Sequence, residues 1–237
     1  MGFDCATRTH VGLKRKLNED SVLDCRERRL WAVADGMGGH QAGEVASAMV
    51  CRALSEMPEA ASAEAGARLA VSVLEKVNRD LIELAARSYQ DRTIGTTVVG
   101  MIADDMAFKC FWAGDSRAYR RRGDELEQLT RDHSLVQDLV DAGMLEPEEA
   151  EGHPNANVVT RAVGAVDVLR VDLVSGVLER GDLFLLASDG LTRIASDAEI
   201  LANLAGSEID GMADRLIALA LERGAPDNVS LVILHYH

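Results

Sequence analysis

The chain has 237 residues, 47% of them hydrophobic, which is enough for one continuous core. Its 39 Asp and Glu outnumber its 25 Lys and Arg, and the formal net charge of -14 excludes nucleic acid and anionic membranes as first partners. No segment reaches the roughly 18 apolar residues of a membrane span, and the start MGFDCATRTH lacks the pattern of a secretory signal. We therefore expect a soluble, cytoplasmic monomer, with a single domain over residues 1–237.

The first third of the chain predicts three strands followed by two helices. Strand-like runs rich in Val, Leu and Thr cover residues 3–12, 20–25 and 29–34. Helical periodicity then covers 41–57, with Val45, Met49 and Ala53 on one face, and 62–87.

The middle of the chain predicts a meander of strands, TTVVGMIA, AFKCFWAG, RAYRRR and LEQLT, separated by DD and RGD turns. Residues 131–165 differ in character, with a short helical pattern that ends at Gly143 and then an acidic, Pro-containing loop. We interpret this segment as an insertion carried on the sheet.

The last third predicts strands at 169–178 and 183–187, a helix that opens with the capping box Ser196 and Glu199, a helix at 207–223 and the final strand NVSLVILHY. Strands at both ends of the chain, with helices between blocks of strands, favour an α+β layered fold over a regular βαβ repeat.

Acidic side chains stand at the ends of the apolar runs. Asp35 ends LWAVAD, Asp115 ends CFWAGD, Asp189 ends LFLLASD, and Asp227 with Asn228 precedes the final strand. Each position alone is more readily explained by a turn than by a ligand, because Asp-Gly is a strong hairpin signal. Asp35 departs from the hairpin pattern, since glycines and a helix follow it rather than a returning strand.

Convergence of these strand ends would create a site for cations. Several carboxylates within a few ångströms resist joint ionisation, and Mg²⁺ or Mn²⁺ suits a set of Asp oxygens with the carbonyl of Gly36. Two ions about 3.5 to 4 Å apart, bridged by Asp35, would share a water and lower its pKa, as in the hydrolysis of phosphate esters. Arg15 in KRKLNED could hold the phosphate, although that segment alone is typical of a solvated turn.

Eight segments in order resemble the metal-dependent protein phosphatase 2C family in its compact bacterial form. They are RKLNED, ADGMGGHQAGEVAS, GTTVV, WAGDSRAY, LTRDHSLVQDLVDAG, HPNANVVTRAVG, LLASDGLT and PDNVSLVIL. The resemblance implies two antiparallel β-sheets packed as a central sandwich, flanked by α-helices on both sides, with a small flap at about 131–165. It also implies hydrolysis of phosphoserine and phosphothreonine in proteins, with a Ser/Thr kinase as the opposing partner.

The resemblance also implies roles for individual residues. Asp35 would bridge two metals, with the Gly36 carbonyl as a further ligand. Asp189 and Asp227 would complete the first metal site, with Asn228 behind them, and Glu19 and Asp20 would lie at the second. Asp115 and Asp189 together would hold a third and weaker ion, and Arg15 would bind the phosphate.

One position departs from the animal members of that family, which carry a histidine proposed as general acid where this chain has Met37. His40 is then a candidate proton donor, although a polar side chain at a helix start is as readily a cap. His133 and His153 are interpreted as loop residues of the flap rather than ligands.

Two alternatives to a general phosphoprotein phosphatase stay open. One is a catalytically dead module that binds phosphoproteins, which loss of an acidic ligand would favour, and the other is an enzyme confined to one regulator.

Overall fold

The computed structural model describes residues 2–38, 42–88, 93–150, 152–206 and 208–237. Its strands are β1 (Phe3–His10), β2 (Asp20–Cys25), β3 (Leu30–Met37), β4 (Gly95–Thr96), β5 (Val98–Ala103), β6 (Ala107–Ala113), β7 (Arg117–Arg122), β8 (Glu125–Gln128), β9 (Asp172–Val177), β10 (Leu183–Ala187) and β11 (Val229–Tyr236). Its α-helices are α1 (Ala42–Ser55), α2 (Ala63–Ser88), α3 (Leu135–Asp141), α4 (Pro147–Ala150), α5 (Asp189–Thr192), α6 (Asp197–Asn203) and α7 (Ile209–Glu222).

The strands form two antiparallel sheets. One has the order β1-β11-β10-β7-β8, and the other has the order β2-β3-β5-β6-β9 with the short β4 paired to β3. Helices α1 and α2 pack on the second sheet, and α5, α6 and α7 pack on the first. The predicted α+β sandwich with helices on both sides is therefore confirmed.

Alternation of side chains along the strands explains why their sequences are apolar throughout. In β3, Trp31 and Val33 lie in the layer between the two sheets, whereas Ala32 and Ala34 lie against the helices of the outer layer. In β11, Val232 and Leu234 likewise face the other sheet. Because side chains alternate between faces, a strand covered on both sides needs an unbroken apolar run.

The buried face of α1 is one position along from the predicted one. Val45, Met49 and Ala53 are only partly buried, while Ala46 and Val50 are fully buried against the sheet. Small residues lie at the contact, so the helix approaches the sheet closely. The periodicity of the sequence located the helix but not the centre of its buried face.

The segment 131–165 carries two short helices beside the sandwich. Helix α3 begins after Ser134, whose hydroxyl accepts a hydrogen bond from the Gln137 amide at 3.3 Å, and Gly143 follows the helix with φ +66°. An isolated bridge between Ser134 and Val159 closes the base of the segment. We refer to residues 131–165 as the flap.

Within the described residues, none of the helices combines the length and the apolarity that a membrane span requires.

Candidate metal centre

The predicted acidic residues lie at one end of the sandwich. Asp20 and Asp35 are directly opposite one another in the antiparallel pairing of β2 and β3. A cavity of about 510 Å³ is lined by five acidic residues that are distant in sequence: Glu19, Asp35, Asp115, Asp189 and Asp227. Asp20 is not in that lining; it lies buried, within hydrogen-bond reach of Asp35.

Strand β3 does not end at Asp35, contrary to the sequence expectation. It continues through Met37, where Gly36 and Met37 pair with Thr96 and Gly95 of β4. The neighbouring threonines fix the backbone of Asp35: the Thr96 hydroxyl donates to its carbonyl at 2.9 Å, and the Thr97 hydroxyl accepts from its amide at 3.2 Å. The position of this carboxyl group is therefore set by the sheet rather than by a loop.

Gly36 lines the cavity, but the close approach of α1 is what requires a glycine there. A Cβ at this position would lie 2.1 Å from the carbonyl oxygen of Gly43 and 2.6 Å from that of Glu19. The sequence analysis assigned Gly36 only as a carbonyl ligand, and the structure adds a packing reason for a glycine at this position. Any side chain at position 36 would push α1 and the Glu19 backbone away from the site.

The carboxyl groups of the site resist ionisation. Burial raises the pKa of Asp20 and of Asp115 to about 6. Burial also raises the pKa of Asp189, and the pKa of Asp35 lies well above its ordinary range because burial and four neighbouring carboxylates all disfavour its charge. Asp35 lies within hydrogen-bond reach of both Asp20 and Asp189, which places it between two groups of acids.

Three buried acceptor oxygens at the site have no hydrogen-bond donor: Glu19 Oε1, Asp20 Oδ1 and Asp189 Oδ1. Buried carboxylate oxygens are normally paired, so this set fits a hard divalent cation such as Mg²⁺ or Mn²⁺. Within the described residues, no three acids of the site have oxygens all within 4.8 Å of one another. Three of these carboxylates would therefore move closer together to bind one ion.

Arg15 and Asn228 organise the loop that precedes β2. The Arg15 guanidinium donates to Asp227 Oδ2 at 2.7 Å, and its side chain is half exposed at the mouth of the cavity. Asn228 accepts from the Glu19 amide at 2.8 Å and donates to the carbonyls of Val11 and Leu17 at 2.8 and 2.9 Å. Asn228 therefore fixes the loop that carries Arg15 and Glu19.

Of the histidines that the sequence analysis singled out, the structure describes His133 and His153. His40 lies outside the described residues. His133 is buried and stacks on Trp112; its Nδ1 accepts from the Gly114 amide at 3.1 Å, so Nε2 carries the hydrogen that is donated to Asp172 at 3.1 Å. Because Nδ1 accepts a hydrogen bond, this ring is neutral and supports the turn before Asp115; burial lowers its pKa in the same direction. His153 lies in the flap, where its Nδ1 accepts from a backbone amide at 3.1 Å.

Two contributors to the site were missed by sequence reasoning. The Ser188 hydroxyl donates to Asp20 Oδ2 at 3.0 Å, across 168 positions of the chain. The Arg193 guanidinium contacts both Asp115 and Asp189 at 2.8 Å. Ser188 and Arg193 flank the DGLT segment, so their neighbours were recognised, but only the tertiary structure shows which oxygen each contacts.

Comparison with known proteins agrees with this fold. The family model for protein phosphatase 2C matches residues 13–218. The chain is 40% identical over 231 residues to serine/threonine protein phosphatase PstP of Mycobacterium tuberculosis, covering 96% of this chain and 44% of PstP. It is 37% identical over 236 residues to protein phosphatase PhpP of Streptococcus pneumoniae, covering 95% and 94%.

Solved structures show the same likeness. PppA of Pseudomonas aeruginosa superposes with a TM-score of 0.92 at 39% identity, covering 100% of this chain and 99% of that one. The catalytic domain of PstP in complex with two manganese ions gives 0.87 at 38% identity, covering 98% and 97%. The chain therefore belongs to the protein phosphatase 2C family. It spans about half the length of PstP and nearly all of PhpP.

Proposed function

We propose that this chain hydrolyses phosphoserine and phosphothreonine in proteins with the help of two divalent ions, Mn²⁺ or Mg²⁺. The observation that carries the proposal is the cavity lined by five acidic side chains from distant parts of the chain, beside three buried oxygens without donors. The manganese complex of the PstP catalytic domain, at 38% identity, supports the choice of cofactor.

The contacts of Asp35 support a division of the ligands into two groups. Asp35 lies within hydrogen-bond reach of both Asp20 and Asp189, so we assign it as the carboxylate that both ions would share. Glu19 and Asp227 line the same cavity, and from the family resemblance we assign Glu19 to the ion beside Asp20 and Asp227 to the ion beside Asp189. Bound there, the ions would supply Lewis-acid activation of a water and neutralise charge on the phosphoryl group.

Arg15 is the residue we assign to the phosphate. Its planar guanidinium suits two phosphate oxygens, and it is held at the cavity mouth by a single carboxylate, Asp227. If Asp227 served as a metal ligand, a substrate phosphate would take its place as the partner of Arg15. The proton donor to the departing Ser or Thr oxygen stays a prediction for His40; in the described part of the chain, no histidine lines the cavity.

The chemistry also defines the opposing partner. A phosphate ester on Ser or Thr must be made by a protein kinase, so we propose that a Ser/Thr kinase supplies the substrates of this chain.

The test is the hydrolysis of phosphothreonine and phosphoserine peptides, followed by phosphate release during a Mn²⁺ titration. We expect activity that rises with Mn²⁺, disappears in excess chelator, and is lost in Asp35→Asn. Asp124→Asn is the matched control, because Asp124 is fully exposed in the turn between β7 and β8. Binding of the phosphopeptide without phosphate release at saturating Mn²⁺ would instead support the catalytically dead module.

A further inference from the structure

Arg193 occupies the place at which the sequence analysis put a third metal ion. It follows the one-turn helix α5, four residues after Asp189. Its Nη2 donates to Asp115 Oδ2 at 2.8 Å, and its Nε lies 2.8 Å from Asp189 Oδ2. The guanidinium therefore bridges the two carboxylates that a third ion would need.

The same guanidinium contacts the flap. Nη1 donates to the Asn157 side-chain oxygen, and Nη2 donates to the Ala156 carbonyl at 3.0 Å. Four of the five guanidinium N–H groups can be used in these contacts. Arg193 thus connects two acids of the site to the flap, and a Lys, which lacks the planar fork, could not reproduce the set.

Burial favours a cation at this position. The side chain of Asp115 is 5% exposed and that of Asp189 is 18% exposed, so two negative charges lie close together with little solvent between them. Arg193 supplies a permanent positive charge there. The oxygen Asp189 Oδ1 has no donor and is left for the central site, whereas Asp189 Oδ2 belongs to the arginine.

Arg193 also forms part of the wall between two cavities. The central cavity and a second cavity of about 240 Å³ on the flap side share four lining residues: Asp115, Asn157, Asp189 and Arg193. A divalent ion could enter between Asp115 and Asp189 only if the guanidinium left both carboxylates and its flap contacts.

We propose that Arg193 replaces a third divalent ion in this chain, and that it acts as a positioning residue that holds the flap against the acids of the metal centre. The proposal rests on the proposed two-metal function. It predicts two ions per chain, with Asp115 paired to an arginine rather than to a metal.

The test is the number of Mn²⁺ ions bound per chain, measured by equilibrium dialysis with elemental analysis, together with the Mn²⁺ electron paramagnetic resonance signal. We expect two ions in the wild type and in Asp115→Asn, three in Arg193→Ala, and two again in the double variant Arg193→Ala with Asp115→Asn. Arg193→Gln, which keeps most of the side-chain length without the charge, should also bind three and provides a second variant if Arg193→Ala is unstable. Arg131→Ala, which removes an exposed arginine of the flap, should stay at two.

Limited proteolysis of the flap checks the second half of the proposal. Cleavage within 144–157 should become faster in Arg193→Ala and in Arg193→Gln but not in Arg131→Ala.

Three ions in the wild type, reduced to two by Asp115→Asn, would overturn the proposal, and so would Arg193 variants that still bind two. A wild type that binds no ion would instead contradict the two-metal function itself, so the two failures are distinguishable.

Discussion

Asp20→Asn should make the protein more stable without metal and less able to bind it. Asp20 is 8% exposed; its Oδ2 accepts from Ser188, and its Oδ1 has no partner. Asparagine has nearly the same shape, and its oxygen can still accept from Ser188. The substitution therefore removes a buried charge while retaining the packing.

The size of the effect follows from the pKa of Asp20. Burial raises it from 3.8 to about 6, and this difference is worth about 3 kcal/mol at roughly 1.36 kcal/mol per pKa unit. Above pH 6 the carboxyl group is ionised in both the folded and the unfolded state, so the folded state bears the full cost. Below pH 3.8 it is protonated in both, and the cost vanishes. We expect the variant to gain about 3 kcal/mol at pH 8 and about half of that at pH 5.

The assay is urea unfolding in excess chelator at pH 8 and pH 5, with Asp124→Asn as the control for removing an exposed carboxylate. With saturating Mn²⁺ the wild type should be more stable than the variant. Each ion at 100 times its Kd stabilises the wild type by about 2.7 kcal/mol, and the variant binds Mn²⁺ less well. A variant in chelator that is no more stable than the wild type at pH 8, or whose gain is the same at both pH values, would refute this reasoning.

Three further substitutions test the remaining assignments. Asp189→Asn should lower kcat in phosphopeptide hydrolysis on the order of 10²- to 10³-fold and weaken Mn²⁺ binding, because it removes a negative charge that both catalysis and metal binding require. An unchanged kcat would contradict the assignment of Asp189 as a metal ligand. Arg15→Ala should lower kcat/KM by roughly ten- to hundredfold, the value of a hydrogen bond to a charged group, with partial retention in Arg15→Lys; a phosphopeptide KM and kcat equal to those of the wild type would remove Arg15 from the phosphate site. His133→Phe should lower the free energy of unfolding by about 1 to 3 kcal/mol, because the Gly114 amide loses its acceptor. The number of bound Mn²⁺ ions should stay unchanged. Loss of an ion would mean that His133 contributes to metal binding as well as to stability.

The sequence predicted the sandwich and the positions of most acids because both depend on local patterns. Alternation and apolar runs identified strands such as β7, whose bounds agree with the RAYRRR segment. Acids at strand ends and their ordered resemblance to a known family identified the cavity. These signals are read from neighbouring residues, and the structure placed Asp35, Asp115 and Asp189 around one space.

Partners that lie far apart in the chain could not be predicted in the same way. The extension of β3 past Asp35 depends on pairing with β4, about 60 residues later, and Gly36 is explained only by the approach of α1. Arg193 stands beside a recognised motif, yet its bridge between Asp115 and Asp189 depends on two separate turns meeting. A pattern of residue types reveals candidate ligands. Whether a metal ion or an arginine lies between two carboxylates depends on tertiary contacts.

The most direct test of the account measures Mn²⁺ occupancy and phosphothreonine hydrolysis in the same samples, for the wild type and for Asp35→Asn. We predict that the rate follows occupancy of the second ion, is absent in excess chelator, and does not recover in Asp35→Asn at any Mn²⁺ concentration. Rapid hydrolysis by the wild type with no metal bound, or by Asp35→Asn at the wild-type rate, would contradict the claim that these converging carboxylates form the catalytic metal centre.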